Sequence, residues 1–216
     1  MIEAPSLQEY IPTATWVKAT WEEFTSLADD PQYAEGKFYY DNGFVRIEMA
    51  ALGSAHGQDN SIVSTVVVLY AALKNIPIKE LTNTSFRKTG IREAQPDIGF
   101  YIGNSLCFPP RNNAPINLDT LSPPTLAIEI GATSVADDLG RKRLLYESLG
   151  VEEYWVVNVA HSEVIAFAVQ NEGSRRIYES RVLPGLAIAL VEEALRRAQT
   201  EDDGAIARWL METFSS

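Results

Sequence analysis

Two acidic residues lie in or beside apolar, strand-like segments, where an ionised carboxylate needs a specific partner. Asp97 follows a proline in "QPDIGFYI", and Glu129 lies inside "TLAIEI". Burial disfavours an ionised carboxyl group unless a cation, a hydrogen-bond donor or a proton compensates it. If the two segments form neighbouring strands, the two carboxylates converge. Together with a backbone carbonyl and water, they form an oxygen donor set that suits Mg²⁺ or Mn²⁺.

The same two carboxylates also have a purely structural interpretation. Asp97 would then only cap a turn, and Glu129 would pair with an arginine such as Arg87 or Arg92. The spacing of these residues along the sequence favours neither interpretation.

Lys142 and His56 are the next candidates for a part in catalysis. Lys142 stands four residues after Asp138 and four before Tyr146, so that the three share one helix face. Beside two metal-binding carboxylates, the lysine could orient or deprotonate a water molecule, or stabilise charge on a phosphoryl group. For an arbitrary helix, a solvated ion pair with Asp138 is the favoured alternative. His56 opens a long helical segment and could contact a phosphate, although a histidine in the first helical turn is more often structural.

The elements that position these residues follow from hydrophobic periodicity and from turn residues. Thr20 and Glu23 have the spacing of a capping box, which predicts a short helix. Asp41-Asn42-Gly43 separates two segments rich in aromatic and β-branched residues, a pattern typical of a β-hairpin. Longer helices are predicted at about 56–75 and 135–149, and strands at about 78–82, 85–88, 97–102 and 125–130.

Later segments complete a mixed α and β pattern. Three more strands are predicted in "EEYWVVNV", "EVIAFAV" and "RRIYES", and one or two helices at the C-terminus. The strand–helix–strand order from Thr125 to Val159 predicts a crossover unit. We therefore expect an α/β (α+β) fold with a central mixed β-sheet flanked by helices, an N-terminal hairpin and C-terminal helices.

Length and composition predict one domain. The 216 residues are 46% hydrophobic, enough for a single core over about 35–190, with a helical tail at about 190–216. Eighteen basic residues against 29 acidic ones leave a net charge of −11, which argues against binding nucleic acid through a generally basic surface.

Cysteine content and the N-terminus indicate the compartment. Cys107 is the only cysteine, so an intrachain disulfide and a four-thiolate zinc site are excluded. No signal-peptide pattern and no bilayer-spanning apolar segment are present in the sequence. We expect a cytoplasmic protein with no membrane association.

The order of the motifs "QPD", "LAIEI" and "DLGRKRLLYESLGVEEYWVVN" resembles the PD-(D/E)xK nuclease superfamily, and within it the Uma-two-type family of putative restriction endonucleases. In that family a proline–aspartate pair opens one strand, a glutamate lies in the next, and a lysine lies on the helix behind. The matching residues here are Pro96, Asp97, Glu129, Lys142 and Tyr146, followed by "GVEEYW". The hairpin and the start of the helix at His56 also match, so the resemblance covers most of the chain.

The resemblance implies a function and residue roles. It implies a restriction-endonuclease-like core and a metal-dependent endonuclease that acts on DNA, and a homodimer is expected with it. Asp97, Glu129 and the backbone carbonyl of Ile130 would hold one Mg²⁺ or Mn²⁺. Lys142 would assist the attacking water, and His56 would lie near the site.

The sequence departs from the family in two places. Relatives have a Ser-Pro-Ser turn after the glutamate strand, whereas residues 131–134 of this chain read Gly-Ala-Thr-Ser. The segment between the glutamate strand and the lysine is also one residue shorter than in relatives. Relatives also carry a glutamate four residues before the hairpin glycine, where this chain has Phe38-Tyr39. Together with the negative net charge, these departures favour a rival interpretation, a catalytically silent nuclease-fold homodimer that acts as a binding or interaction protein.

An active DNA enzyme with this net charge would require a local basic patch. Its candidate members are the basic residues around the proposed site: Arg87, Lys88, Arg92, Arg141, Lys142 and Arg143.

Overall fold

The computed structural model describes residues 12–33, 35–49, 53–131, 133–171 and 173–215. Within these residues, twelve strands form two six-stranded sheets. The strands are β1 (Val17–Lys18), β2 (Gly36–Asp41), β3 (Phe44–Met49), β4 (Ile78–Thr82), β5 (Phe86–Lys88), β6 (Arg92–Ala94), β7 (Ile98–Ile102), β8 (Ile116–Asn117), β9 (Leu126–Gly131), β10 (Glu153–Asn158), β11 (Glu163–Gln170) and β12 (Gly173–Ile177).

The helices follow the predicted periodicity. They are α1 (Trp21–Ala28), α2 (Ser54–Leu73), α3 (Val135–Asp137), α4 (Arg143–Leu149), α5 (Ile188–Arg197) and α6 (Asp203–Ser215). The predicted capping box of α1 is present, with Thr20 and Glu23 exchanging hydrogen bonds. Where one helix was predicted over about 135–149, a π-helical turn at Asp138–Lys142, kinked at Gly140, joins α3 to α4.

The central sheet has the strand order β12-β11-β10-β9-β7-β4. Strands β9 and β10 are parallel and are linked by α3 and α4, so the predicted crossover unit is confirmed. The other neighbouring pairs are antiparallel, which makes this a mixed sheet.

The second sheet, which we call the hairpin sheet, has the order β1-β3-β2-β6-β5-β8. The predicted hairpin is confirmed as β2 and β3, joined through Asn42 and Gly43. It does not stand alone beside one central sheet, however. Tyr40 of β2 pairs with Glu93 of β6, and β5 and β8 extend the same sheet.

Three helices cover one face of the central sheet, and the hairpin sheet together with α4 covers the other. On one face α2, α5 and α6 pack on a core that includes Leu126, Ile128 and Ile130 of β9. On the other face, Ala127 of β9 packs with α4 and with Tyr39 of the hairpin sheet. Because side chains alternate along a strand, Glu129 points to this second face. The described residues contain no helix long and apolar enough to cross a membrane.

Candidate active site

Asp97 and Glu129 meet because β7 and β9 are antiparallel neighbours. Ile98 pairs with Ile128, and the same register continued by one residue brings Asp97 opposite Glu129. Directly opposed residues of an antiparallel pair share a face. Both residues are almost fully buried, each with 2% of its surface exposed. The convergence predicted from the two sequence segments is therefore present.

Asp97 is held by three donors. Its Oδ2 accepts a hydrogen bond of 2.7 Å from the backbone N–H of Ile130, and its Oδ1 is contacted by the Lys37 ammonium and by His56 Nε2 at 3.2 Å. Burial by itself would raise the pKa of Asp97. The hydrogen bond from His56 and the charge of Lys37 outweigh it and hold the pKa well below its usual range. Asp97 is thus a fully compensated anion rather than only a turn cap.

His56 bridges the two strands from the first turn of α2. Its Nδ1 lies 3.0 Å from the carbonyl oxygen of Ile130, while its Nε2 faces Asp97. A ring that donates from both nitrogens is protonated, and the hydrogen bond with Asp97 raises the pKa of His56 accordingly.

Glu129 is held by two tyrosine hydroxyl groups rather than by an arginine. Tyr146 donates to its Oε1 at 2.7 Å, and Tyr39 donates at 3.0 Å. Burial raises the pKa of Glu129 to about 8, although Lys142 and Lys37 oppose the shift.

The alternative pairing of Glu129 with Arg87 or Arg92 is wrong. Arg87 instead pairs with Glu93, and Arg92 pairs with Asp41.

Lys142 is enclosed by carboxylates. Its Nζ lies 2.7 Å from Glu48, 2.9 Å from Asp138 and 4.0 Å from Glu129. The predicted pair with Asp138 is thus present, but it is not solvated, since the Lys142 side chain is only 1% exposed. Burial would lower the pKa of Lys142, but the surrounding carboxylates raise it above its ordinary value. Lys142 is therefore a fixed positive charge.

Three residues of the hairpin were not identified from the sequence as part of the site. Lys37 contacts Asp97, Tyr39 contacts Glu129, and Glu48 contacts Lys142. In the hairpin register Lys37 pairs with Glu48, and Tyr39 pairs with Arg46. The alternation of "KFYY" and "VRIE" around the predicted turn was the available signal, because it puts these four residues on one face.

A pocket of about 310 Å³ opens onto this cluster. Lys37, Glu48, His56, Asp97 and Glu129 line it together with Ile130. Lys142 lies behind this lining, so the cations that reach the pocket are Lys37, His56 and Arg46.

The donor set of the pocket fits a hard divalent ion in its chemistry. Asp97, Glu129 and the Ile130 carbonyl supply oxygen atoms only, as Mg²⁺ and Mn²⁺ prefer. Asp97 Oδ1 already accepts from two cationic donors, Lys37 and His56, so an ion at this position requires at least the Lys37 ammonium to release it. No cluster of three or more histidine, cysteine or acidic side chains suited to a metal occurs among the described residues.

The turn after β9 leaves no room for a side chain at Gly131. A Cβ there would lie 2.5 Å from Ser134 Oγ and 2.7 Å from Asp138 Oδ2, which are themselves hydrogen-bonded. The hydrogen bond between Ser134 and Asp138 links the altered turn to the carboxylate that pairs with Lys142. Ala132 lies outside the described residues.

The predicted basic patch is largely neutralised by acidic partners. Besides the buried Lys142, the ion pairs are Arg87 with Glu93, Lys88 with Asp119, Arg92 with Asp41, and Arg143 with Glu147. Arg141 differs, since its guanidinium lies 4.3 Å from the ring centre of Trp16 and 4.2 Å from that of Phe44.

Comparisons with known proteins agree on one kind of fold. A family model described as "Uma2: Putative restriction endonuclease" matches residues 21–202. The crystal structure of a putative nuclease belonging to DUF820 from Anabaena variabilis superposes with a TM-score of 0.55 at 18% sequence identity, covering 82% of this chain and 98% of that one. No curated protein matches the sequence. At this identity the structural match shows a shared fold, and it confirms the predicted mixed α and β class.

Proposed function

Because the chain belongs to the Uma2 family, described as putative restriction endonucleases, we propose that it is a divalent-metal-dependent endonuclease that hydrolyses phosphodiester bonds in DNA. The observation that carries this proposal is the convergence of two buried carboxylates on one pocket, Asp97 immediately before β7 and Glu129 within the neighbouring strand β9. Buried acids have no structural need to meet in an open pocket, whereas an oxygen-ligated ion requires such an arrangement.

The metal would be held by Asp97 Oδ1, by the Glu129 carboxylate and by the carbonyl of Ile130. When bound, Mg²⁺ or Mn²⁺ would supply Lewis-acid activation of a water molecule and would neutralise charge on the phosphate. Support comes from the all-oxygen donor set and from the position of all three residues on the pocket wall.

The remaining residues orient the ligands. The Ile130 N–H holds Asp97, and the hydroxyl groups of Tyr39 and Tyr146 hold Glu129, so neither carboxylate rotates freely. Such fixed hydrogen bonds to the ligands are what precise metal positioning requires.

Two cations complete the proposed machinery. Lys142 is protonated and lies behind the pocket, so its role is electrostatic rather than that of a base. His56 lines the pocket and can donate from Nε2 to a phosphate oxygen once it leaves Asp97.

A plasmid assay tests the proposal. Supercoiled DNA is incubated at low salt with protein in Mg²⁺, Mn²⁺ or EDTA, and nicked and linear forms are quantified. We expect metal-dependent nicking that Asp97→Asn and Glu129→Gln each slow by about 100-fold or more, the scale of losing one electrostatic contact to a transition state. Glu129→Gln keeps an acceptor and a donor for the two tyrosine hydroxyl groups, so its fold should be retained.

Glu22→Gln, at an exposed position on α1, is the matched control and should cleave like wild type. Absence of cleavage by folded protein on both double-stranded and single-stranded DNA, with either metal, would overturn the proposal.

A second candidate function rests on the contact between Lys37 and Asp97. The Lys37 ammonium neutralises the Asp97 carboxylate without a metal ion. Such internal neutralisation is expected of a nuclease fold that has lost catalysis and is retained as a binding scaffold. Wild-type protein that binds no Mn²⁺ in a calorimetric titration would favour this scaffold over the enzyme.

We also propose that the protein is a homodimer and acts in the cytoplasm. The single cysteine suits a reducing compartment, and the family resemblance suggests self-association. Light scattering coupled to size-exclusion chromatography should give twice the chain mass of 23.9 kDa, and a monomeric mass would contradict the dimer.

A further inference from the structure

We propose that Lys37 is a built-in competitor of the divalent ion, so that metal binding is an exchange in which the Lys37 ammonium leaves Asp97 Oδ1 as the metal arrives. This inference rests on the metal site of the proposed function and assigns a role to a residue that neither the motifs nor the family match identifies. The Lys37 ammonium would thus control entry of the divalent ion into the site.

The competition follows from the distribution of donors on Asp97. Oδ2 is held by the buried backbone N–H of Ile130 at 2.7 Å, so Oδ1 is the oxygen that the proposed metal would use. Lys37 and His56 both contact Oδ1. An oxygen with two cationic donors cannot also accept a dication without strong repulsion between like charges, so at least the ammonium must leave.

Lys37 is able to leave because it lies between two pockets. It lines the pocket of the candidate site and also a neighbouring polar pocket, whose wall includes Glu35, Asn60, Asn83 and Gln95. The side chain of Lys37 is 12% exposed, and its flexible four-carbon stem can turn toward the second pocket. There the carboxylate of Glu35 and the amide groups can receive the ammonium.

The second lysine of the site does not have this freedom. Lys142 is 1% exposed, pairs with Glu48 and Asp138, and does not line the pocket. Loading of the site therefore displaces Lys37 and leaves Lys142 in place.

Direct metal binding tests the exchange without any assay of cleavage. Mn²⁺ affinity is measured by calorimetry, and free Mn²⁺ by electron paramagnetic resonance, at one fixed pH and without DNA. Lys37→Met keeps the length of the side chain and removes the charge. We expect it to bind Mn²⁺ at least about 10-fold more tightly than wild type, since an adjacent unit charge no longer competes.

Two further variants separate local competition from general effects. Lys74→Met removes the same charge at the far end of α2, about 27 Å from His56 at 1.5 Å per residue, and should leave the affinity unchanged. Asp97→Asn combined with Lys37→Met should lose the gain, because the proposed ligand is absent. If circular dichroism shows that Lys37→Met is misfolded, Lys37→Gln takes its place, since its amide can still donate to Asp97.

The outcomes distinguish this inference from the proposed function. Equal or weaker Mn²⁺ binding by Lys37→Met, with clear binding by wild type, overturns the exchange and leaves the metal site standing. Binding by Lys37→Met alone supports the exchange but overturns metal dependence of the wild-type protein under those conditions. No binding by either protein at millimolar Mn²⁺ overturns both.

Discussion

At the scale of single residues, the site is a network in which each buried ionisable group has a named partner. Asp97 faces Lys37 and His56, Glu129 faces two hydroxyl groups, and Lys142 faces carboxylates. Such a network has a consequence for mutagenesis, since removal of one partner leaves the other charge buried and uncompensated. Loss of activity in a variant is therefore meaningful only beside its stability.

Lys142→Met should lower the free energy of unfolding by about 3–5 kcal/mol, because Glu48 and Asp138 would be left without their common cation. Urea denaturation followed by circular dichroism measures the change. Lys88→Met is the matched control. Lys88 pairs with Asp119 at the surface, with side-chain exposures of 43% and 36%, so its loss should leave the free energy of unfolding nearly unchanged. Equal losses in the two variants would contradict the enclosed arrangement of Lys142.

Glu153 provides a prediction about pH outside the site. It is fully buried and accepts hydrogen bonds from Trp155 Nε1 and from the backbone N–H groups of Arg181 and Val182. Burial raises the pKa of Glu153 above its ordinary value of 4.5, although these hydrogen bonds oppose the shift. Between the ordinary and the raised pKa, the folded protein binds more protons at this group than the unfolded chain does, so its contribution to stability falls as pH rises.

The stability of wild type relative to Glu153→Gln should therefore decrease as pH rises above about 4.5, by about 1.4 kcal/mol for each unit by which the folded-state pKa is raised. Urea denaturation of both proteins at several pH values measures the difference. The same substitution at the exposed Glu22 reports the effect of net charge alone. A difference that is constant or grows with pH would show that the carboxylate is not penalised by burial.

At the scale of secondary-structure elements, the site depends on where helix α4 of the crossover ends. The crossover through α3 and α4 brings Lys142 and Tyr146 over β9, and it ends at Gly150, whose φ of 84° lies in the left-handed region. The N–H of Gly150 closes the helix by donating to Tyr146 and Glu147. The next strand, β10, then starts in register with β9.

Gly150→Ala should destabilise the protein by about 1 kcal/mol, because a Cβ disfavours the left-handed conformation. Gly57→Ala makes the same change at an exposed position inside α2, where an added Cβ meets nothing within 4 Å. It should stabilise by up to about 1 kcal/mol. Thermal melts should therefore shift in opposite directions, by about 2–4 °C per kcal/mol for a chain of this size. A stabilising Gly150→Ala would contradict the cap.

At the scale of the whole molecule, charge sets how DNA can be bound. The net charge is −11, and most cations around the pocket already have acidic partners. Affinity for duplex DNA normally depends on lysine and arginine that neutralise phosphates. We therefore expect the protein to bind DNA weakly and through short-range contacts, rather than through an extended positively charged surface. The single domain expected from length and composition stays a prediction at this scale.

The salt dependence of DNA binding measures how many phosphates the protein neutralises. In EDTA, the slope of log affinity against log salt for a fluorescent duplex should be no steeper than about −3, since about 0.9 unit of slope accompanies each neutralised phosphate. Asp119→Asn releases Lys88 from its surface pair and should steepen the slope by about one unit. A wild-type slope steeper than about −5 would mean that the ion pairs around the pocket open to bind DNA.

Much of the fold could be predicted from the sequence because its signals are local. The capping box at Thr20, the turn at Asn42-Gly43 and the glycine stop at Gly150 depend on residues a few positions apart. The two carboxylates could be identified for a similar reason, since each stands out against its own apolar strand. The convergence of the two carboxylates then follows if the two strands are neighbours in the sheet, as they are.

The partners of those carboxylates were decided by tertiary structure alone. Lys37 lies 60 positions from Asp97, Tyr39 lies 90 positions from Glu129, and Glu48 lies 94 positions from Lys142. All three contacts exist because the hairpin belongs to a second sheet packed over the central one. The way two sheets pack depends on the shape of the whole core, which no spacing within a single segment encodes. The sequence thus identified Asp97 and Glu129 as acids of the site, and the packing of the two sheets decided which side chains hold them.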